Sequence, residues 1–213
     1  MTKFIFLLMN LCIVSTLFSC DKVGDSTNNG ATRKSTDTKG NVLIVYFSRT
    51  GENYNVGYID TGNTAVFAKY IQQYTNGTMF EIVPAEPYPD SYEKTKEISQ
   101  QEISGNKRPA IKNPILDLDK YSIIFIGSPV WYGTPPMIMR TFYETYKDKL
   151  SNKVLVPFGT HEGSGVSSCT RLIKEYFPKT TVLETFGIQG NKVKNSEKSI
   201  EEWLNRIGIL RKK

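Results

Sequence analysis

The stretch Val42-Leu43-Ile44-Val45-Tyr46-Phe47-Ser48-Arg49-Thr50-Gly51 decides the fold. An unbroken apolar run passes directly into hydroxyls and a glycine. A continuous run of this length reads as a strand buried on both faces, as in a parallel sheet. The pattern recurs twice. Ile123-Ile124-Phe125-Ile126 leads into Gly127-Ser128-Pro129-Val130-Trp131-Tyr132-Gly133, and Val154-Leu155-Val156-Pro157-Phe158 leads into Gly159-Thr160-His161-Glu162-Gly163-Ser164-Gly165. In such sheets the ligand crevice lies outside the carboxyl ends of the strands. The three loops are therefore expected to meet at one site. One offers hydroxyls and amides, one an aromatic pair, one glycines and a histidine. That combination suits a ligand with a phosphate at one end and a flat ring at the other.

Working outward, Val66, Phe67, Tyr70 and Ile71 have helical spacing and predict a helix over 63–72, with Gly62 or Asn63 as its cap. Residues 79–83 read as a strand stopped by the proline-rich stretch 84–89. A helix is expected over 92–103, then an extended connection over 105–119. Pro136 opens a helix reaching Phe142 and Tyr146, 166–177 is helical, and 181–186 is a further unbroken strand. The last helix covers 196–207, with Ile200, Trp203, Leu204 and Ile207 on one face. Strands alternating with helices indicate a doubly wound α/β domain with five parallel strands.

The chain has 213 residues, which suits one domain with additions. The additions are N-terminal. Residues 1–19 carry one early lysine and an apolar core, too short to span a bilayer, and read as a secretory signal. The ending Leu17-Phe18-Ser19-Cys20 resembles a bacterial lipobox, which implies lipidation of Cys20; the alternative is an ordinary signal with a chance cysteine. Residues 20–40 are polar and charged and read as a flexible tether, leaving 41–213 as the folded domain. The expected location is the bacterial cell envelope, anchored to the membrane through Cys20.

Of three cysteines, Cys12 leaves with the signal and Cys20 carries lipid, so Cys169 alone remains and no disulfide framework exists. Cys169 falls among apolar residues of a helix and reads as a buried thiol. One histidine and no cysteine pair give no usual zinc site, so no metal is expected. Net charge is +6, concentrated toward the C-terminus at Lys192, Lys194, Lys198, Arg206, Arg211, Lys212 and Lys213. A solvated face is the first reading; an acidic partner or anionic membrane surface is the other. No recognition motif supports nucleic acid.

Phe47-Ser48-Arg49-Thr50-Gly51, Gly62-Asn63-Thr64, the Gly127–Gly133 segment and Thr160-His161-Glu162-Gly163-Ser164-Gly165 together resemble a flavodoxin of the short-chain type. The resemblance spans about residues 41–210. It implies strand order 2-1-3-4-5, bound FMN and redox activity. It places Ser48, Thr50, Gly51, Asn53, Asn63, Thr64, Pro129, Val130, Trp131, Tyr132, Gly133, Thr160, His161, Gly163 and Ser164 around the cofactor. It also implies that a peptide of the Trp131–Gly133 loop hydrogen-bonds the reduced ring. Common flavodoxins pass from strand to helix through a compact loop; here residues 52–61 intervene and are expected to loop out, leaving the roles of Asn53 and Tyr54 open.

Ser48, Thr50 and Thr64 supply hydroxyls suited to a phosphate at a helix N-terminus. Neither a Walker motif nor a dinucleotide fingerprint is present. Trp131 is expected to stack on the ring, with Tyr132 in contact. His161 either stays neutral, senses ring charge or simply braces its loop; Glu162 points to solvent and has no catalytic role. No catalytic residue is assigned. The leading reading is an FMN electron carrier that works with a reductase and an acceptor protein. An FMN-dependent NAD(P)H or quinone oxidoreductase and a non-redox FMN-binding module are the alternatives. For the oxidoreductase, residues 86–119 are the segment that lines room for a second substrate.

Overall fold

A computed structural model of the chain describes residues 42–114 and 117–210. The expected signal, Cys20 and the tether lie outside the described residues, as do Arg211, Lys212 and Lys213 of the basic tail. In chain order the elements are β1 (Val42–Tyr46), β2 (Gly51–Asn53), β3 (Gly57–Ile59), α1 (Asn63–Thr75), β4 (Thr78–Glu81), α2 (Tyr92–Ser104), β5 (Ile123–Pro129), α3 (Met137–Thr145), α4 (Lys147–Leu150), β6 (Val154–His161), α5 (Ser167–Tyr176), β7 (Thr181–Val182), β8 (Phe186–Gln189), a 3-10 helix Gly190–Asn195 and α6 (Glu197–Arg206).

All pairings of the main sheet are parallel, in the order β4-β1-β5-β6, with β7 and then β8 along the outer edge of β6. Taking β7 and β8 as one interrupted strand, this is the order 2-1-3-4-5. The sheet has helices on both faces, and β1 shows why its sequence is continuously apolar. Val42, Ile44 and Tyr46 pack into one cluster with Phe67, Ile71, Ile200 and Trp203 from α1 and α6. Leu43, Val45 and Phe47 pack into the other with Ile138, Phe142, Leu172 and Ile173 from α3 and α5. Each fully buried large apolar side chain contributes about 1.5–3 kcal/mol, so neither face of β1 tolerates a polar residue.

The structure departs from the sequence reading in three places that matter for the site. First, β5 and β6 run on to Pro129 and His161, past the glycines taken as loop starts. Gly127 and Gly159 are strand residues whose missing side chains make room: a β-carbon on Gly127 would sit 2.1 Å from the Phe158 ring, and one on Gly159 would lie 2.9 Å from the Ser128 carbonyl. Second, residues 52–61 do not merely loop out. They contain most of an antiparallel hairpin, β2–β3. Third, the strand expected over 181–186 is interrupted at 183–185, and the edge resumes as β8. Within the break the Glu184 carbonyl accepts the Trp203 indole N–H at 3.1 Å, while the Glu184 carboxylate pairs with Arg206. Trp203 is fully buried, so the edge yields its ladder to satisfy an indole inside the core.

Candidate functional site

The carboxyl ends of β1, β5 and β6 open into one cleft of about 280 Å³. At one end stands the first turn of α1. Its cap residue, Gly62, has no side chain, and no side chain caps the helix from that position. Instead the Ser48 hydroxyl accepts the Ala65 N–H at 3.0 Å, reaching in from the end of β1. Gly62 is required by contact: a β-carbon there would lie 2.1 Å from Ser48 Oγ and 2.7 Å from the Arg49 carbonyl. Thr64 is buried, its hydroxyl 2.8 Å from that of Thr160 on β6. Hydroxyls, amides and the positive end of α1 therefore converge, which favours an anion.

The aromatic wall follows β5. Trp131 and Thr134 exchange both backbone hydrogen bonds, at 2.8 and 3.0 Å. Between them Tyr132 and Gly133 adopt φ of 49° and 74°, the two left-handed residues of a tight hairpin turn. The Val130 N–H donates to the Thr160 carbonyl at 2.9 Å, fixing this turn to β6. Trp131 is part-buried, meeting Phe47 and Tyr88 edge-on with ring centres 5.6 and 5.1 Å away. It is at once a cleft wall and a plug of the core beneath. The Tyr88 hydroxyl donates to both oxygens of Glu102 at 3.0 Å. Burial pushes both groups above their ordinary pKa ranges.

The hairpin and α2 close the opposite side. The Arg49 guanidinium donates to the carbonyls of Glu52, Pro89 and Asp90, and Glu52 N–H donates to the Asp90 carbonyl at 2.8 Å. The Glu52 carboxylate accepts the Tyr92 N–H at 3.1 Å. These bonds bind the hairpin to the start of α2, and Tyr54 stacks on Tyr92 with ring centres 5.9 Å apart.

In the third loop His161 Nδ1 accepts the Gly163 N–H at 3.0 Å, and burial lowers the imidazole pKa. The histidine braces its loop, and its burial disfavours the charged form. Glu162 corrects the expectation of a solvent-facing side chain. Its Oε1 accepts the Gly190 N–H at 2.9 Å, and burial raises its pKa. Gly190 has no space for a β-carbon, which would lie 2.3 Å from the Asn63 amide nitrogen and 2.4 Å from Glu162 Oε1. The third loop is thus anchored beside the start of α1.

Of the residues singled out from sequence, Ser48, Asn53, Asn63, Thr64, Pro129, Val130, Trp131, Tyr132, Gly133, Thr160, His161 and Ser164 line this one cleft. Thr50, Gly51 and Gly163 are not among its lining residues. Thr50 is exposed where the chain turns out into the hairpin. Gly51, at φ 79°, packs where a β-carbon would lie 2.7 Å from the Asp90 carbonyl, and Gly163 contributes its N–H to His161. Sequence reasoning missed Arg49, Glu162 and Val56 on the lining, and also Tyr92, Thr95, Lys96 and Ser99. These last four form a single stripe at helical spacing on α2, a signal present in the sequence within the segment 86–119. Cys169 lies outside the cleft, buried, its thiol pushed up to about 11. Among the described residues no group of three or more acidic, histidine or cysteine side chains gathers for a metal, and no helix is long and apolar enough to cross a membrane.

None of the curated proteins compared matches the chain. Among solved structures, a Bacteroides eggerthii chain assigned as a flavoprotein is 29% identical over 78% of this chain and 96% of its own, with a TM-score of 0.63. A similarly assigned Bacteroides uniformis chain is 27% identical over 78% of this chain and 98% of its own, also at 0.63. A Lactobacillus acidophilus flavoprotein solved in complex with FMN is 24% identical over 73% of this chain and 97% of its own, at 0.56, and shares the fold. A flavodoxin family model matches residues 41–207, nearly all of the described α/β domain, and on that match the chain belongs to the flavodoxin family.

Proposed function

We propose that the cleft binds FMN and that the protein carries electrons between partner proteins. The observation that carries this reading is the division of one cleft into an anion end and an aromatic end. The donor set suits a terminal phosphate: the first turn of α1, whose cap residue Gly62 has no side chain, with Ser48, and Thr64 held by Thr160. The other end suits a flat ring: Trp131 and Tyr132 on one loop, Tyr54 and Tyr92 across from it, His161 at the rim of β6. The bound flavin supplies reversible electron acceptance; the protein supplies binding, orientation and tuning.

The residues divide that work. The amides and hydroxyls at the start of α1 are the groups that would hold the phosphate. The tight turn at Tyr132-Gly133 sets the aromatic wall, and Phe47 with Tyr88 keeps Trp131 from rotating away. The exposed Tyr54 and Tyr132 on the cleft lining favour a carrier over an oxidoreductase, because exposed aromatics suit a docked protein surface.

The direct test is the purified protein. It should be yellow, release FMN rather than FAD on denaturation, and take FMN up again. A colourless protein that refuses added FMN overturns the reading. The envelope location belongs to the same proposal and rests on the Leu17-Phe18-Ser19-Cys20 sequence. Cys20→Ser should release the protein from the membrane fraction, whereas an unlipidated parent recovered wholly soluble removes that part alone.

A further inference from the structure

We propose that His161 contacts the bound ring as a hydrogen-bond donor of fixed tautomer, locked by the backbone amide of Gly163. The proposal rests on the reading that the cleft takes FMN. A neutral imidazole has one N–H and one acceptor nitrogen. Here Nδ1 is the acceptor, because the Gly163 N–H points at it from 3.0 Å. The single proton is therefore on Nε2. His161 lines the cleft, so the side chain brings a donor and no positive charge to the ring end.

Two further features support the lock. Gly163 has φ of 112° with nothing within 4 Å of where a β-carbon would stand, so glycine is needed there for conformation and not for space. A side chain is strained at that φ, so a substitution at Gly163 would shift the loop that carries its N–H. A second proton on the imidazole would set Nδ1–H against the Gly163 N–H, and burial opposes the same charge. The adjacent carboxylate offers no compensation, because Glu162 is turned away to the Gly190 amide. A donor of fixed direction selects a ligand with an acceptor at that edge, which the carbonyl-bearing ring of a flavin provides.

The chain contains one histidine, so the imidazole nitrogens of untagged, ¹⁵N-labelled protein give one pair of signals. The flavin-free protein should show the Nε2–H tautomer near neutral pH, and Gly163→Ala should turn it into a mixture. Added FMN should shift the Nε2–H signal and slow its exchange with water. His161→Phe should weaken FMN and riboflavin alike, by about three- to tenfold for one neutral hydrogen bond. His161→Gln, which keeps a side-chain N–H, should recover most of that loss. An Nδ1–H tautomer in the parent overturns the lock. Tight FMN binding that leaves the imidazole signals unmoved, or a loss confined to FMN, overturns the ring contact while leaving the cofactor assignment intact. Failure of the parent to bind FMN overturns that assignment, and the contact with it.

Discussion

Tyr132 sits at φ 49°, a backbone state that a side chain disfavours by about 1–2 kcal/mol. Asparagine tolerates this state better, so Tyr132→Asn should raise the stability of the flavin-free protein by up to about 1 kcal/mol. The same change should weaken flavin binding, because half of the Tyr132 surface faces the cleft mouth or solvent (51% exposed). Urea midpoints and flavin titrations read the two effects separately. A loss of stability would show that the turn is not strained. Ser48 offers the complementary case. Its hydroxyl is the one side-chain oxygen bonded into the first turn of α1, at the Ala65 amide. Ser48→Ala should weaken FMN by about 1.5–3 kcal/mol, the usual value for a hydrogen bond to a charged group, and riboflavin much less. Equal weakening of both ligands would move the phosphate elsewhere. Thr50 looked equivalent to Ser48 in the sequence, since both are hydroxyls just past the same strand. The difference is where the chain goes next. It leaves the sheet for the hairpin at Gly51, and Thr50 leaves with it.

At the scale of elements, β1, β5 and β6 were legible because burial on both faces allows no polar interruption. The break between β7 and β8 was not, because its cause is Trp203 on α6, about twenty residues away in sequence, taking the Glu184 carbonyl. The hairpin was equally hidden. Its strands carry no apolar alternation, and it is held by non-local bonds from Arg49 and Asp90. Arg49→Ala should therefore free the hairpin while leaving the sheet intact. Amide exchange should accelerate at β2 and β3 and stay slow in β1; equal acceleration in both would make Arg49 a core residue of the fold. Helix α2 carries a pH-dependent element. Glu102 is buried, and its folded pKa is raised above the ordinary 4.5 chiefly by desolvation, with Tyr88 and Lys107 opposing. A raised carboxyl contributes stability below its unfolded pKa and loses it as pH rises through the folded value. Gln lacks this dependence and still accepts from the Tyr88 hydroxyl. Glu102→Gln should accordingly gain stability relative to the parent as pH rises above the ordinary carboxyl value of 4.5, the gain being complete once pH has passed the raised folded value. A difference that stays flat with pH would mean that the carboxylate is fully compensated when folded.

At the scale of the whole molecule, the question is what meets the flavin end of the cleft. The parallel order and the meeting of three strand ends were readable from apolar runs; the closure of the cleft by α2 and the hairpin was not, because it depends on how those elements dock. An enzyme of the NAD(P)H or quinone class needs a second small-molecule site against the ring, and a nicotinamide donor needs recognition of its own phosphates. In the structure, the first turn of α1 is the anion end of the cleft and one phosphate occupies it in this reading. Among the described residues the largest exposed apolar side chains are Tyr54, Tyr58 and Tyr132, on the hairpin and the aromatic turn, at 56%, 64% and 51% exposure. Exposed aromatics of this kind suit a docked protein surface better than an enclosed substrate. The FMN-loaded protein should thus be reduced slowly by NADH or NADPH alone, at a rate that does not saturate with nicotinamide concentration. Adding a flavodoxin reductase should make reduction fast and proportional to reductase concentration, and Tyr54→Ser with Tyr58→Ser should weaken that response without releasing FMN. Stopped-flow absorbance of the flavin band reads every arm. Rapid, saturable oxidation of NADH or NADPH by the protein and a quinone, with no reductase present, would replace the carrier by an enzyme and require the hairpin to open.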